Sequence, residues 1–447
     1  ELGVIIPNTT TTISGSLFLN VGITSVTFED VSTLTSIGSY SFYNCIGLTT
    51  IIIPASVTSI DVGAFQGTSL IDTVIPVSVT FIGENAFREL GVIIPNTTTS
   101  IGASLFLNTG ITSVSIPESI TSIGANAFSG CVLLNSFTVS PSILTSTIFA
   151  STVFTGCTSL TSVTLGLGTN TPESISQVQK DYLYGIAPLI THINFGTNIT
   201  SIDATFRFTP LKTITFEPGS TLVSICDNAF LYVFLTMSLL DLPSSLVSIG
   251  ASAFSNNYIT GDLIIPDSVT NIGNHAFLLA GFDGTLTIGT GITRLELETF
   301  YRNDFTGALY IPDNVTYIGV SAFGFVYDMT SLRLPSYVTY IGDGAIMGNF
   351  TGTLVIPETV TYLGGECLRG IWSGNSSLVI PDSVTHIGGN FFYNKPNLTS
   401  LTIGSSVTHI GDTAFGSCGG LTEIIIPDSM ITIGNSTFFK CIGLTSI

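Results

Sequence analysis

Charged residues are scarce in this sequence, and basic residues are scarcest. Only 9% of the 447 residues are charged, with 10 Lys and Arg against 29 Asp and Glu, which gives a formal net charge of −19. Proteins that bind nucleic acids need clustered positive charge to neutralise phosphates, and anionic membranes repel an acidic surface. The composition therefore argues against nucleic acid as a partner and favours cations or basic proteins.

Long apolar runs, metal-binding motifs and catalytic motifs are also missing. The longest apolar candidate, residues 230–240, is about half as long as a bilayer-spanning helix, so we expect no membrane insertion. The chain has four His and seven Cys, but no Cys-x-x-Cys pair, Cys/His cluster, nucleophile motif or phosphate-binding glycine loop. We therefore predict no enzyme, no catalytic residue, no cofactor and no metal site.

What the sequence does contain is a repeat. A Val-Thr-x-Ile-Gly phrase recurs about every 23 residues, as in Val269–Gly273 and Val384–Gly388. Internal repeats of this length are typical of solenoids, in which each coil buries its apolar face only against its neighbours. The Ile of the phrase, or the residue that replaces it, gives 19 anchors at positions 13, 37, 60, 82, 101, 123, 148, 175, 202, 225, 249, 272, 295, 318, 341, 363, 387, 410 and 433.

Each repeat has three parts. A short strand ends at Pro, which lacks the N–H needed to continue a ladder. The Val-Thr-x-Ile-Gly strand follows, in which Gly permits a tight bend. A segment with Ala-Phe, such as Ala276-Phe277, is predicted as a turn of helix, and Phe fills this position in 16 of the 19 repeats. We predict a parallel β-solenoid with short helical turns and an internal row of Phe.

The repeats continue without a linker, so we predict one domain over residues 1–447, with irregular repeats around 148–202. Ile175 is the least regular anchor of that stretch. Residues 1–28 match residues 89–116 at 22 of 28 positions, which indicates a block duplication. The chain opens and stops inside a repeat, so we expect it to be a mature fragment or one segment of a longer array.

The phrase Ile-Pro-Asp-Ser-Val-Thr-x-Ile-Gly-x-x-Ala-Phe-x-x-Cys-x-x-Leu-Thr resembles the consensus of BspA-like leucine-rich repeats. The resemblance covers nearly the whole chain. It implies a leucine-rich-repeat solenoid in an extracellular or cell-surface protein, with a role in adhesion, matrix binding or surface coating, and without catalytic residues.

One column of the repeat changes character near the C-terminal end. The residue before the anchor is Ser or another small polar residue in most repeats, but six consecutive repeats carry larger side chains. Tyr and His on an exposed face suit stacking on sugars or an interface hot spot. Simple cross-strand pairing, packing against a neighbouring turn and a His-pair metal site are the alternatives. The candidate partner- or glycan-binding residues are Arg294, Tyr317, Tyr340, Tyr362, His386 and His409.

Other columns have simpler interpretations. Five Cys stand three residues after the Phe, and we expect buried free thiols, although stacked coils bring neighbours such as Cys131 and Cys157 within disulfide range. Thr precedes the Tyr/His column in most repeats as a good outward strand residue, with an ice-binding surface as the alternative. Acids that follow the strand-ending Pro are expected to cap turns, with calcium binding as the alternative. These acids are Glu118, Asp267, Asp313, Glu358, Asp382 and Asp428.

Eight Asn-x-Ser/Thr sequons are candidate glycosylation sites, and a glycoprotein is the corresponding hypothesis. Chance alone gives a similar number in a chain so rich in Ser and Thr. The candidates are Asn8, Asn96, Asn198, Asn314, Asn349, Asn375, Asn397 and Asn435.

Two functions remain open from the sequence. The first is a structural unit of an extracellular filament or coat, because solenoid ends without polar caps favour head-to-tail self-association. The second is a surface adhesin that binds a host protein or glycan through the Tyr/His column.

Overall fold

The computed structural model describes residues 2–71, 73–166, 172–350, 352–370, 372, 374 and 376–445. The chain is a parallel β-solenoid of about 18 turns with a spacing near 23 residues. It divides into two compact units, residues 1–199 with 209–218 and residues 200–208 with 219–447.

The first unit contains two rows of short strands. Its largest sheet has seven parallel strands in the order β17-β15-β13-β12-β10-β8-β6, and a second sheet has the order β2-β4-β5-β7. The strands of the chain up to residue 216 are β1 Leu2–Ile6, β2 Thr12–Ile13, β3 Ile23–Phe28, β4 Ser36–Ile37, β5 Ser59–Ile60, β6 Thr73–Val74, β7 Phe81–Ile82, β8 Gly91–Ile93, β9 Ser100–Ile101, β10 Ser113–Ile116, β11 Ser122–Ile123, β12 Ser136–Val139, β13 Ser162–Leu165, β14 Glu173–Ile175, β15 His192–Phe195, β16 Ile199–Ile202 and β17 Thr213–Phe216.

The second unit repeats the arrangement. Its largest sheet has the order β23-β25-β27-β28-β30-β32-β33, again with every neighbouring pair parallel. Its strands are β18 Ser224–Ile225, β19 Ser248–Ile249, β20 Leu263–Ile264, β21 Asn271–Ile272, β22 Leu286–Thr287, β23 Arg294–Leu295, β24 Gly307–Tyr310, β25 Tyr317–Ile318, β26 Met329–Arg333, β27 Tyr340–Ile341, β28 Tyr362–Leu363, β29 Ser377–Val379, β30 His386–Ile387, β31 Ser400–Thr402, β32 His409–Ile410 and β33 Thr432–Ile433.

The pairing of strands from coil to coil follows the predicted anchors. Eighteen of the 19 predicted anchors lie in a strand, including Ile175, which is fully buried in β14. The anchor at Ile148 is wrong by one residue, because Phe149 forms the bridge to Ile123 and is the buried side chain there. In this irregular repeat both residues are apolar, so the sequence pattern does not distinguish them.

The Gly after the anchor has a different reason from the predicted one. Its φ is not left-handed at most repeats, so a tight bend does not require it. A Cβ added to Gly273 would lie 2.4 Å from the backbone nitrogen of Ala251, one coil earlier. Gly is needed at position 273 because successive coils approach too closely at this corner to leave room for a Cβ.

The Phe residues form the predicted internal rows. In the second unit Phe254, Phe277 and Phe300 are fully buried, and neighbouring ring centroids lie 5.4 and 5.6 Å apart with nearly parallel planes. The same stacking links Phe18, Phe42, Phe65 and Phe87 in the first unit. Two coils of the second unit lack this Phe, at Ile346 and Leu368, and there Phe350 and Trp372 stack at 5.5 Å instead.

The Ala-Phe segment is not helical, which corrects the prediction of short helical turns. In the coil that begins at Gly250, Ser252 and Asn256 have φ of 54° and 57°, and a right-handed helix cannot contain such residues every fourth position. Alternate backbone N–H groups bond to the next coil instead, as from Phe254 to the Ala276 carbonyl at 2.8 Å. We call this third side of each coil the turn segment.

The one α-helix in the described part of the chain lies in the irregular stretch. Helix α1 spans Gln177–Ile186 and begins with a capping box, in which the Ser176 side chain accepts from the Gln179 backbone and the Gln179 side chain accepts from the Ser176 backbone. A 3-10 turn, Pro141–Ile143, precedes it. No helix of the described residues is long and apolar enough to cross a bilayer.

Candidate functional site

The six residues of the predicted binding column lie in one continuous row on the second unit. Their strands pair in parallel without a break, so that Arg294 is opposite Tyr317, Tyr317 is opposite Tyr340, and Tyr340 is opposite Tyr362. His386 and His409 continue the register. We call these six residues the Tyr/His ladder.

The rings of the ladder stack on one another. Tyr317 and Tyr340 have centroids 4.7 Å apart, and the next two pairs, as far as His386, are each 4.8 Å apart with planes within 7°. The His386–His409 pair is looser, at 5.9 Å and 36°. Neighbouring parallel strands are themselves about 4.8 Å apart, so the strand spacing equals the stacking distance. The cross-strand pairing that the sequence left open as an alternative is therefore present.

The guanidinium of Arg294 packs on the first ring of the ladder. The Arg294 guanidinium lies 3.8 Å from the centroid of the Tyr317 ring, and its Nε donates to Glu296 at 3.0 Å. Arg294 is exposed, whereas the five rings are half-buried. Because each inner ring has neighbours on both faces, a partner meets ring edges, phenol hydroxyls and imidazole nitrogens. Stacking of a sugar on the face of an inner ring, one of the contacts considered from the sequence, is sterically blocked.

Burial also sets the charge of the ladder. Burial lowers the pKa of His386, and nearby His409 lowers it further, against an opposite effect of Asp343. Burial raises the pKa of the Tyr340 and Tyr362 phenols, with smaller contributions from neighbouring groups. The phenols are thus neutral at pH 7, and acidification adds charge at the imidazole end.

The column beside the ladder is structural. Thr316, Thr339, Thr361, Thr385 and Thr408 each donate a side-chain hydroxyl to the carbonyl of the equivalent Thr one coil earlier, at 3.0–3.4 Å. The hydroxyls therefore link coils, which is consistent with ordinary outward strand residues rather than a special surface.

Three of the six acids, Asp267, Asp313 and Asp382, cap turns as expected, by accepting from the backbone of the following coil. Asp267 accepts from the backbone and hydroxyl of Thr290, and Asp313 accepts in the same way from Ser336. Asp313 also pairs with Arg333 at 2.8 Å, and these bonds lower its pKa to about 2, with Arg333 as the largest cause. Within the described residues, no group of three or more His, Cys, Asp or Glu is arranged to hold a metal ion.

All seven cysteines are free thiols. The five that follow Phe by three residues donate to the carbonyl of the Phe one coil earlier, as from Cys131 to Phe106 at 2.9 Å and from Cys418 to Phe392 at 3.3 Å. Burial raises the pKa of Cys157 to about 12 and that of Cys418 to about 11. Asn257 and Asn303 use the same position to reach the same carbonyl, so a buried donor is needed there and cysteine is one solution.

The candidate glycosylation sites are in different environments. Asn198 is only 5% exposed and its amide donates to Glu173, so a glycan at this site would have to displace that bond in the folded protein. The half-buried Asn314 donates to the Thr290 and Ile292 carbonyls, and a glycan would have to break both bonds. Asn375 lies outside the described residues. The exposed candidates are Asn8, Asn96, Asn349, Asn397 and Asn435.

One cavity on the turn segments of the second unit was not predicted. It has a volume of about 520 Å³. A signal was available in the sequence, because six of the ten Lys and Arg stand one to three residues after the Phe position: Arg88, Arg207, Arg302, Arg369, Lys395 and Lys440. We call the cavity the turn-face pocket. Its lining includes the side chains of Tyr327, Asn349, Glu366, Arg369, Tyr393 and Lys395.

Comparison with known proteins identifies the repeat. The family model described as BspA type leucine-rich repeat region matches in six copies, over residues 3–90, 90–205, 145–260, 223–351, 261–375 and 349–447. No curated protein matches the chain.

Solved structures with some likeness include three bacterial proteins. A leucine-rich repeat protein from Bacteroides ovatus is 19% identical, with 97% of this chain and 91% of that chain covered and a TM-score of 0.26. A leucine rich cell surface protein from Faecalibacterium prausnitzii is 20% identical, with 80% of each covered and a TM-score of 0.28. The pneumococcal vaccine antigen PcpA is 17% identical, with 78% and 84% covered and a TM-score of 0.27. Such low identities and TM-scores leave these likenesses without weight for function.

Proposed function

The chain belongs to the BspA type leucine-rich repeat family, and on that premise we propose that it is a non-catalytic recognition scaffold of a cell surface. It binds a protein or glycan through the Tyr/His ladder. The observation that carries the proposal is the ladder itself, because six consecutive coils replace small polar residues by stacked aromatic and cationic side chains in one half-exposed row.

Stability does not require this replacement. Coils elsewhere keep the same strand with Ser in the column, for example Ser224 and Ser248, which pair in the same parallel register. Stacked rings also lose little conformational entropy when a partner covers them, because neighbours already hold them. A rigid row of ring edges with polar tips suits an extended partner that lies along the solenoid, and Tyr is enriched at interface hot spots.

The experiment compares two triple variants. Tyr317, Tyr340 and Tyr362 are replaced by Ser in the test variant, whereas Tyr258, Tyr310 and Tyr337, which are 62–63% exposed elsewhere in the same unit, are replaced in the control. Both are tested on a printed panel of neutral and acidic glycans and on immobilised collagen, laminin and fibronectin. We expect at least a tenfold loss of wild-type binding for the test variant only. Equal binding by the two variants would remove the ladder as the site.

The filament or coat unit stays a second hypothesis, drawn from the sequence. Light scattering after size exclusion, over a range of concentrations, distinguishes it from the scaffold. Mass that grows with concentration supports end-to-end self-association, whereas a constant monomer mass supports the scaffold.

Intact-mass measurement of protein from a glycosylating host tests the glycoprotein hypothesis at the five exposed sequons.

A further inference from the structure

The turn-face pocket exists because two consecutive coils have Gly, and therefore no side chain, at one position of the turn segment. Two residues after the Phe position, the neighbouring coils carry Phe325 on one side and Asn394 on the other, but Gly348 and Gly370 lie between them. A Cβ on Gly348 would come within 2.7 Å of the Phe350 ring, and one on Gly370 within 2.9 Å of the Trp372 indole nitrogen. The substitute aromatic pair of the core therefore imposes the gap in the turn face.

The pocket is positively charged in an acidic protein. Arg369 pairs with Glu366 at 2.9 Å, whereas Lys395 donates to the Gly370 carbonyl and lies 5.7 Å from the Phe392 ring. In the described part of the chain, no ion pair links Lys395 to a carboxylate. Two cations and one carboxylate leave a net charge of +1, against −19 for the whole chain. Burial lowers the pKa of Lys395, Cys418 acts in the opposite direction, and nearby Arg369 lowers it again. An anion bound beside Lys395 and Arg369 would favour the charged form of the lysine, because opposite charges stabilise each other.

The rest of the lining is suited to a polar ring. Tyr327 and Tyr393 are each 45% exposed at the pocket. Among the described residues, neither has parallel rings on both faces, unlike the inner rings of the Tyr/His ladder. The exposed Asn349 contributes a side-chain amide, which can donate to and accept from hydroxyl groups. The volume of about 520 Å³ lies in the range of small-ligand pockets, and the site is partly open to solvent.

We propose that the turn-face pocket binds the carboxylate-bearing ring of an acidic saccharide. Lys395 and Arg369 hold the carboxylate, Tyr393 or Tyr327 packs on the apolar face of the sugar ring, and Asn349 bonds to hydroxyls. This site is separate from the Tyr/His ladder, so the inference does not depend on the proposed function.

The test measures binding by calorimetry and by ligand-observed NMR. Protein is produced in a host without N-glycosylation, because a glycan on Asn349 would fill the pocket. The probes are 3′-sialyllactose and a hyaluronan tetrasaccharide, each compared with neutral lactose. We expect saturable binding of at least one acidic probe, no saturable binding of lactose, and weaker binding at higher salt.

Charge variants determine the sign of the interaction. Lys395→Met and Arg369→Gln should each weaken the acidic probe at least tenfold, whereas Glu366→Gln should leave it unchanged or tighten it. Arg302→Gln, a turn-face cation outside the pocket, and the triple Tyr variant of the ladder are controls that should bind as the wild type does. Absence of saturable binding, unchanged affinity in Lys395→Met, or equal binding of a tetraglutamate peptide would overturn the proposal.

Discussion

Replacement of Phe277 by Ala probes the internal row of Phe on which the register depends. Phe277 is fully buried, stacks on Phe254 and Phe300, and meets Phe282 edge-on at 6.2 Å. Removal of a buried Phe lowers the free energy of unfolding by about 3–5 kcal/mol, through lost burial and the cavity that remains. Each lost ring pair contributes roughly 0.5–1.5 kcal/mol. The total loss is therefore at least about 3 kcal/mol. Phe277→Leu should cost less, because Leu368 occupies the equivalent position in a native coil.

The assay is native-state hydrogen exchange, because a repeat protein opens locally and need not unfold as one unit. At about 1.4 kcal/mol per tenfold change, the expected loss makes opening of the coils around Phe277 roughly a hundredfold or more frequent. Protection near Phe415, six coils away in the same unit, should stay almost unchanged. Less than tenfold faster exchange at Phe254 and Phe300, or an equal change near Phe415, would refute the stacked-row reasoning.

Three further predictions concern titratable groups. Cys157 and Cys418 should resist iodoacetamide at pH 8 in the native protein and react after unfolding, because burial raises their pKa values; peptide mass spectrometry measures this. The pKa of Asp313 is lowered from 3.8 to about 2, so its contribution to stability is complete above pH 3.8 and is lost as the pH falls through 2; acid unfolding of Asp313→Asn should lack this step. NMR titration should place the His386 pKa below 6.5, so its neutral packing is stabilising above pH 6.5 and is lost as the pH falls further; a value above 6.5 contradicts the burial argument.

The repeat period predicted most of the fold because one spacing determines many positions at once. Anchors such as Ile272 and Ile318, and the aligned column from Tyr317 to His409, follow once coils stack in register. The capping box Ser176-x-x-Gln179 is the sequence signal for helix α1. It lies in the irregular stretch, where the repeat period is lost, so the alignment of repeats does not reveal it.

Local geometry could not be read from the same pattern. An Ala-Phe pair suits a helix as well as a turn, and only the φ values at positions such as Ser252 show that coils bond to each other there. The turn-face pocket required knowledge that Phe350 and Trp372 reach back into the core and exclude side chains at Gly348 and Gly370. Those contacts join residues two apart within one coil, and an alignment of repeat columns does not show which side chains turn back onto each other.

Disulfide cross-linking within the Tyr/His ladder tests the in-register stacking of the coils most directly. Tyr317→Cys with Tyr340→Cys places two thiols on directly opposite residues of neighbouring strands, where the Cα separation of parallel strands is within disulfide range. Tyr317→Cys with Tyr362→Cys places them two coils apart, beyond that range. Mass spectrometry under mild oxidation should find a disulfide in the first pair and not in the second. Equal cross-linking of both pairs, or none in the first, would contradict the in-register row from which the site follows.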